Sequence, residues 1–373
     1  MNTVKFDDLF HFQQKSKIKA GDGFKLGEAK YPFYTSSNIL TKSINEYLFD
    51  VESLIFGTGG LASIHICSEK FAVSTDCFVT QPKDKKEVYS KYVYYYLSGN
   101  LYILENGFKG AGLKHISKDY LAKIQIPLPP LTQQKKIAAI LDAADANRQL
   151  TKALIAKYDE LTQSLFLDMF GDPVKNEKEW EKVLLKSVCN KITDGTHDTP
   201  KRLTQGVKFI TGKHIKPFYI DFENSDYVTE EIHTEIYKRC NPEFGDILYT
   251  NIGVNYATAA INTVHYEFSM KNVALLKYKR ELLNGNYLQC ILNNTNFKDR
   301  LKNNFGIGGA QQFLSLANIK SIELLCPPLE LQNQFAERVQ AIETQKAQAQ
   351  ASLEKAEELF NSLLQRAFNG ELV

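Results

Sequence analysis

The chain has 373 residues, 43% hydrophobic and 24% charged, with a net charge of +2, and that length predicts two or three domains, each with its own core. Six cysteines with no Cys-x-x-Cys pair argue against a zinc site or a disulfide framework. The start is polar and no apolar run approaches 18 residues, which argues against secretion or membrane insertion, so a cytoplasmic location is expected.

Residues 1–126 read as mixed α/β with more strand than helix. Short β-type runs at 51–56, 64–67 and 78–80 are bounded by Gly, Asn or Asp, and 88–104 reads as an aromatic-rich helix. Gly57-Thr-Gly-Gly-Leu-Ala62 fits a degenerate dinucleotide fingerprint. The residues after it read as strand, not as the long helix which that motif opens, so a tight hairpin is predicted.

A long helix is predicted from Thr132, an N-cap after Pro-Pro, to Phe170, where Gly171-Asp172-Pro173 stops it. Ile137, Leu141, Ala144, Ile155, Tyr158, Leu165 and Met169 share one register, with Leu154 and Leu161 widening the stripe. Residues 173–325 again read as mixed α/β, with a strand at 247–250 and a helix at 286–302. Within them Asn241-Pro-Glu-Phe244 is similar to the Asn-Pro-Pro-aromatic loop of adenine methyltransferases. A carboxylate replaces the second proline and no glycine-rich cofactor loop accompanies it, so methyl transfer by this chain is not expected.

The second long helix is predicted from Glu330 to Phe368, closed by Asn369-Gly370. Phe335, Val339, Ile342, Ala349, Leu353, Ala356, Phe360, Leu363 and Ala367 follow steps of four and three, interrupted by Lys346, which is a coiled-coil signature. Each helix spans roughly 55 Å at about 1.5 Å per residue. Neither buries its stripe alone. The expectation is an antiparallel pair with a lobe at each end, a dumbbell with a pseudo-two-fold axis.

The chain repeats itself. Residues 107–170 match 306–368, and Pro129/Pro327, Leu131/Leu329, Gln134/Gln332, Leu165/Leu363 and Phe170/Phe368 all lie 198 apart. Weaker matches pair residues 33–39 with 209–215, 53–59 with 247–253 and 92–97 with 287–292. A shared scaffold with differing loops suits two modules of separate specificity. Residues 1–126 carry 16 Lys/Arg against 13 Asp/Glu, and 173–325 carry 20 against 17, so both lobes are mildly cationic. The helical stretches are acidic, at 5 against 6 for 127–172 and 4 against 7 for 326–373. That distribution permits nucleic-acid binding by the lobes. The seven histidines show no metal-ligand spacing, and no Walker A or Gly-x-Ser-x-Gly segment occurs. The chain reads as a recognition module, not a catalyst.

Ile126-Pro-Leu-Pro-Pro-Leu-Thr-Gln-Gln134 and Leu325-Cys-Pro-Pro-Leu-Glu-Leu-Gln332, each leading into a long helix, resemble the specificity subunits of Type I restriction–modification systems. So does the helix exit Leu165-Phe-Leu-Asp-Met-Phe-Gly-Asp-Pro173. Family members often carry Glu-Gln after Pro-Pro-Leu, where this chain has Gln133-Gln134 and Leu331-Gln332. The resemblance implies an α+β fold in which residues 1–126 and 173–325 are target-recognition domains, and 127–172 and 326–373 are helices forming an antiparallel coiled coil. It further implies a non-catalytic subunit whose lobes each read half of a bipartite double-stranded DNA target. The helices would set the spacer and dock two modification subunits carrying S-adenosylmethionine, with possible restriction subunits using ATP and Mg. No cofactor or metal is expected in this chain.

Candidate DNA contacts are polar or basic residues on loops at equivalent places in the two lobes. In the first they are Ser36, Ser37, Asn38, Thr58, Lys109, Lys114 and His115. In the second they are Thr193, His197, Lys201, Arg202, Lys213, His214, Asn251, Asn255, Tyr256, Gln311 and Gln312. Two alternatives stand beside this reading. One is a protein-binding adaptor, whose binding would depend little on salt. The other is a stand-alone nucleic-acid methyltransferase, which would need a cofactor loop.

Overall fold

The computed structural model describes residues 2–372 apart from Ala111, Val254 and residues 306–312. The chain divides into two compact units, Met1–Ala153 with Gln350–Val373, and Leu154–Ala349. The fold is α+β. The division runs through both long helices, so each unit holds one lobe, the start of one helix and the end of the other.

In the first unit, Phe10–Phe12, Cys77–Pro82, Ser53–Gly57 and Ile64–Cys67 form an antiparallel sheet in that spatial order. A second sheet orders Phe24–Lys25, Lys42–Ile44, Tyr31–Tyr34 and Ala72–Val73, the last pair parallel. Thr3–Lys5 pairs with Gln125–Pro127 just before the first long helix, Leu131–Phe170. The segment 88–104 forms two helices, Ser90–Gly99 and Tyr102–Glu105, because Asn100 leaves helical geometry at φ −128, ψ 50. Tyr92 is buried beneath them with Ile137 and Leu141 of the first long helix and Phe360 and Ala367 of the second.

The second unit repeats the plan. Cys189–Asp194, Val273–Tyr278, Ile247–Thr250 and Ala259–Ile261 make the antiparallel sheet. Asp226–Val228, Val207–Thr211 and Ser269–Lys271 make the second, again with a parallel last pair. Lys182–Leu184 pairs with Glu323–Leu325 just before the second long helix, Leu329–Phe368. The segment 286–302 is likewise two helices, Gly285–Asn293 and Thr295–Asn304. Asn294 sits extended between them and its side chain accepts from the Phe297 amide. Phe170 packs on Tyr287 at 4.7 Å and on Phe335 at 5.3 Å, ring centre to ring centre.

Within each unit the two helix segments run antiparallel. Arg148 lies 4.0 Å over the Phe360 ring and Lys152 pairs with Glu357 at 2.9 Å in the first. In the second, Lys346 pairs with Asp159, and Arg338 reaches the Met169 sulfur at 3.9 Å. Lys346, which interrupts the apolar stripe, is thus met by a carboxylate. Among the described residues no helix is long and apolar enough to cross a membrane.

Candidate nucleic-acid interface

In the first unit three loops meet at the end of the strand Ser53–Gly57. The Ser63 hydroxyl donates to the Ser36 carbonyl at 3.3 Å, and His65 Nε2 donates to the Ser37 carbonyl at 2.8 Å. Burial pushes the His65 imidazole below its usual range, against the opposing pull of that carbonyl, so it serves as a neutral strut. His115 Nδ1 donates to the Thr58 carbonyl at 3.1 Å, and Lys109 stands across a two-stranded ladder from His115. Gly57 allows the close approach: a Cβ there would lie 3.0 Å from the Ser36 backbone and 2.3 Å from the Ser63 hydroxyl. All seven candidates in this lobe therefore belong to one loop cluster. Asn38, Lys109, Lys114 and His115 are exposed, Ser36 and Ser37 half-buried, and Thr58 buried. Thr58 contributes its backbone to the cluster and keeps its side chain inside.

The second unit makes the equivalent cluster. The Ile116 amide donates to the Thr58 carbonyl at 3.1 Å in the first unit, and the Leu314 amide donates to the Asn251 carbonyl at 2.7 Å in the second. Beside this contact lies a shallow cleft of about 360 Å³ lined by Arg202, Thr211, Lys213, Asn255, Lys271 and Asn272. Three cations at its edge suit phosphate, and its amides and hydroxyl suit base edges. Asp226 tempers that charge, pairing with Arg202 and, at 3.2 Å, with Lys213. The buried Asp194 carboxylate holds Arg239 and, at 3.0 Å, His197. His197 Nδ1 in turn lies 2.9 Å from the Asn272 side chain, which ties the loop bearing Lys201 and Arg202 to the cleft.

Several candidates take other places. His214 is 2% exposed; its Nδ1 accepts from the Thr211 amide at 2.9 Å, and burial followed by the Lys213 charge pushes it down to about 4. It caps a short turn as a neutral ring and presents nothing to a ligand. The Asn251 side chain is also 2% exposed. Thr193 is half-buried in its strand, Lys201 is exposed beside Arg202, and Tyr256 is half-buried on a different cleft. Gln311 and Gln312 lie outside the described residues. Lys271 and Asn272 escaped sequence reasoning because only the parallel pairing of Val207–Thr211 with Ser269–Lys271 brings them to the site.

The Asn241–Phe244 segment is a structural turn. Asn241 accepts from Lys191 at 3.2 Å, Phe244 stacks on His265 at 4.2 Å, and Lys277 bridges Glu243 and Asp246 at 2.9 Å each.

A family model described as "Type I restriction modification DNA specificity domain" matches residues 1–158 and 177–358. The chain belongs to that family. It is a Type I specificity subunit, the DNA-sequence-recognition component of such systems and not their catalyst. The specificity subunit of the Escherichia coli K12 enzyme EcoKI is 22% identical, over 79% of this chain and 68% of that one. The EcoDI specificity subunit of Escherichia coli is 24% identical over 92% and 83%. The fold matches the crystal structure of a Type I system S subunit from M. genitalium with a TM-score of 0.64, at 16% identity, covering 98% of this chain and 95% of that one. A chain from a structure on complex assembly and conformational transition of a type I R-M system gives 0.54 at 15% identity, covering 100% and 98%.

Proposed function

We propose that each lobe of this specificity subunit reads one half of a bipartite double-stranded DNA target, residues 1–126 one half and 173–325 the other. The observation that carries the reading is the duplicated loop cluster. Two units place different polar and basic side chains on the same strand end, held by the same backbone hydrogen bond. One scaffold with two unlike loop sets suits two unlike half-sites.

The helices, residues 127–172 and 326–373, set the unread spacer and dock two modification subunits. Apolar side chains left in solvent support the docking role: Leu150 and Leu359 in the first unit, and Leu154, Leu161 and Leu167 in the second. The modification subunits bring S-adenosylmethionine and methylate adenine, and restriction subunits, where present, bring ATP and Mg chemistry. The solvent-facing loop residues of the first cluster and the cleft-lining residues of the second make the contacts, with Arg202, Lys213 and Lys271 on phosphate and Asn255, Asn272 and Thr211 nearest to base edges.

The test is a lobe exchange. Replacing residues 1–126 with the matching lobe of a relative of known target should change one half of the methylated motif and leave the other half and the gap intact. A change in both halves, or in neither, contradicts the reading.

A further inference from the structure

We propose that a second cleft of the second unit, about 950 Å³, receives a backbone phosphate of the bound DNA, with the Lys298 ammonium and the Thr258 hydroxyl as its ligands. The proposal rests on the reading of this lobe as a DNA-binding surface and adds an anchor beyond the reading cleft.

Lys298 sits in the first turn of the helix Thr295–Asn304, and its Nζ meets the Thr258 hydroxyl at a long 3.5 Å. Among the described residues it makes no ion pair. Burial lowers it to about 8, with no other cause acting. A cation withdrawn from water without a counter-charge is costly unless an anion completes it.

The surrounding charges do not supply that anion. Asp172 already accepts from the Val174 and Lys175 amides and from the Asn296 side chain. Glu177 pairs with Lys175 at 3.5 Å. Asp299, on the same helix as Lys298, acts on Tyr256: burial and then Asp299 raise the Tyr256 phenol. Cys290, held up by burial, and Lys302 complete the titratable lining.

The occupant follows from continuity. Asn255 lines both this cleft and the reading cleft, and Tyr256 follows it. A DNA strand leaving the first cleft over Asn255 enters the cleft that Lys298 lines. Phosphate binding favours the charged amine, so binding takes up a proton above about pH 8 and affinity falls as pH rises from 7 to 9.

The experiment measures duplex binding by the complex purified with its modification subunit, over a salt series and at pH 7 to 9. Lys298→Met should weaken target and non-target DNA alike and lower the slope of log affinity against log salt by about one. It should also flatten the pH dependence. Lys298→Arg should keep the slope and lose the pH dependence, which separates the phosphate role from a folding defect. An unchanged slope in Lys298→Met overturns the proposal, as does loss of the modification subunit on purification, which would make the cleft a protein seat. Lys213→Ala separates the two readings. If it lowers the slope while Lys298→Met does not, only this cleft is misassigned; if neither does, DNA binding by this lobe fails as a whole.

Discussion

Gln134 and Gln332, 198 positions apart, make the same buried bracket. Gln134 donates to the carbonyls of Pro129 and Glu87 and accepts from the Tyr89 amide, at 2.8, 3.0 and 2.8 Å. Gln332 donates to Pro327 and Leu282 and accepts from the Asn284 amide, at 2.7, 3.1 and 2.9 Å. Beside each, a tyrosine hydroxyl caps the preceding strand: Tyr92 to the Pro127 carbonyl and Tyr287 to the Leu325 carbonyl, both 2.9 Å. The glutamine of the repeated Pro-Pro-Leu-x-x-Gln segment is thus an internal joint. It fixes the start of each long helix to the neighbouring helix of its own lobe.

Gln332→Ala leaves three backbone groups without partners, each a loss on the order of 1 kcal/mol or more. The expected destabilisation is roughly 2–4 kcal/mol, read as a lowered thermal transition of the full chain, and Gln134→Ala should cost about the same. An unchanged transition in either variant would show that the bracket is dispensable.

Asp226→Asn should strengthen non-specific binding. It releases Arg202 and Lys213 from their shared carboxylate, so more cation faces phosphate and the salt dependence steepens. The measurement is affinity for a duplex lacking the target across a salt series. A weaker or flatter response would show that Asp226 positions the cations more than it masks them.

His214 makes the second unit acid-sensitive. Its folded value of about 4 lies below the ordinary histidine value, so the folded state binds the proton less readily than the unfolded chain. The stability it holds above about pH 6.5 is lost as pH falls toward 4, by at most about 3 kcal/mol. His214→Asn keeps an acceptor for the Thr211 amide and removes the titration. Its stability profile between pH 7 and 4 should be flatter than that of the parent chain.

Equal insertions of one heptad in both long helices preserve the four-and-three register. The methylated motif should then gain spacer length while both half-sites stay unchanged. Altered half-sites with an unchanged gap would rule out the helices as the ruler.

The strands 64–67 and 247–250 and the ends of both long helices were legible in the sequence, because period and stop residues coincide there. The breaks at Asn100 and Asn294 were not, since both halves of each segment bury apolar residues on one core and the pattern runs on across the break. Leu154 and Leu161 continue the stripe in sequence yet stand 45% and 49% exposed, because the pair closes on a narrower seam. At the candidate site, Lys213 and Asn255, expected from the repeat, stand exposed on one cleft. His214 and Asn251 were misplaced because a polar loop residue can serve the backbone as readily as a ligand.

Selection of a two-part DNA sequence is the role proposed for this chain. Its most direct test is single-molecule sequencing of DNA from cells expressing the neighbouring modification subunit with and without this chain, scoring N6-methyladenine. The expected result is a bipartite motif with a fixed gap that disappears when the chain is omitted. A stable complex that methylates no such motif, or methylation that persists without the chain, would contradict it.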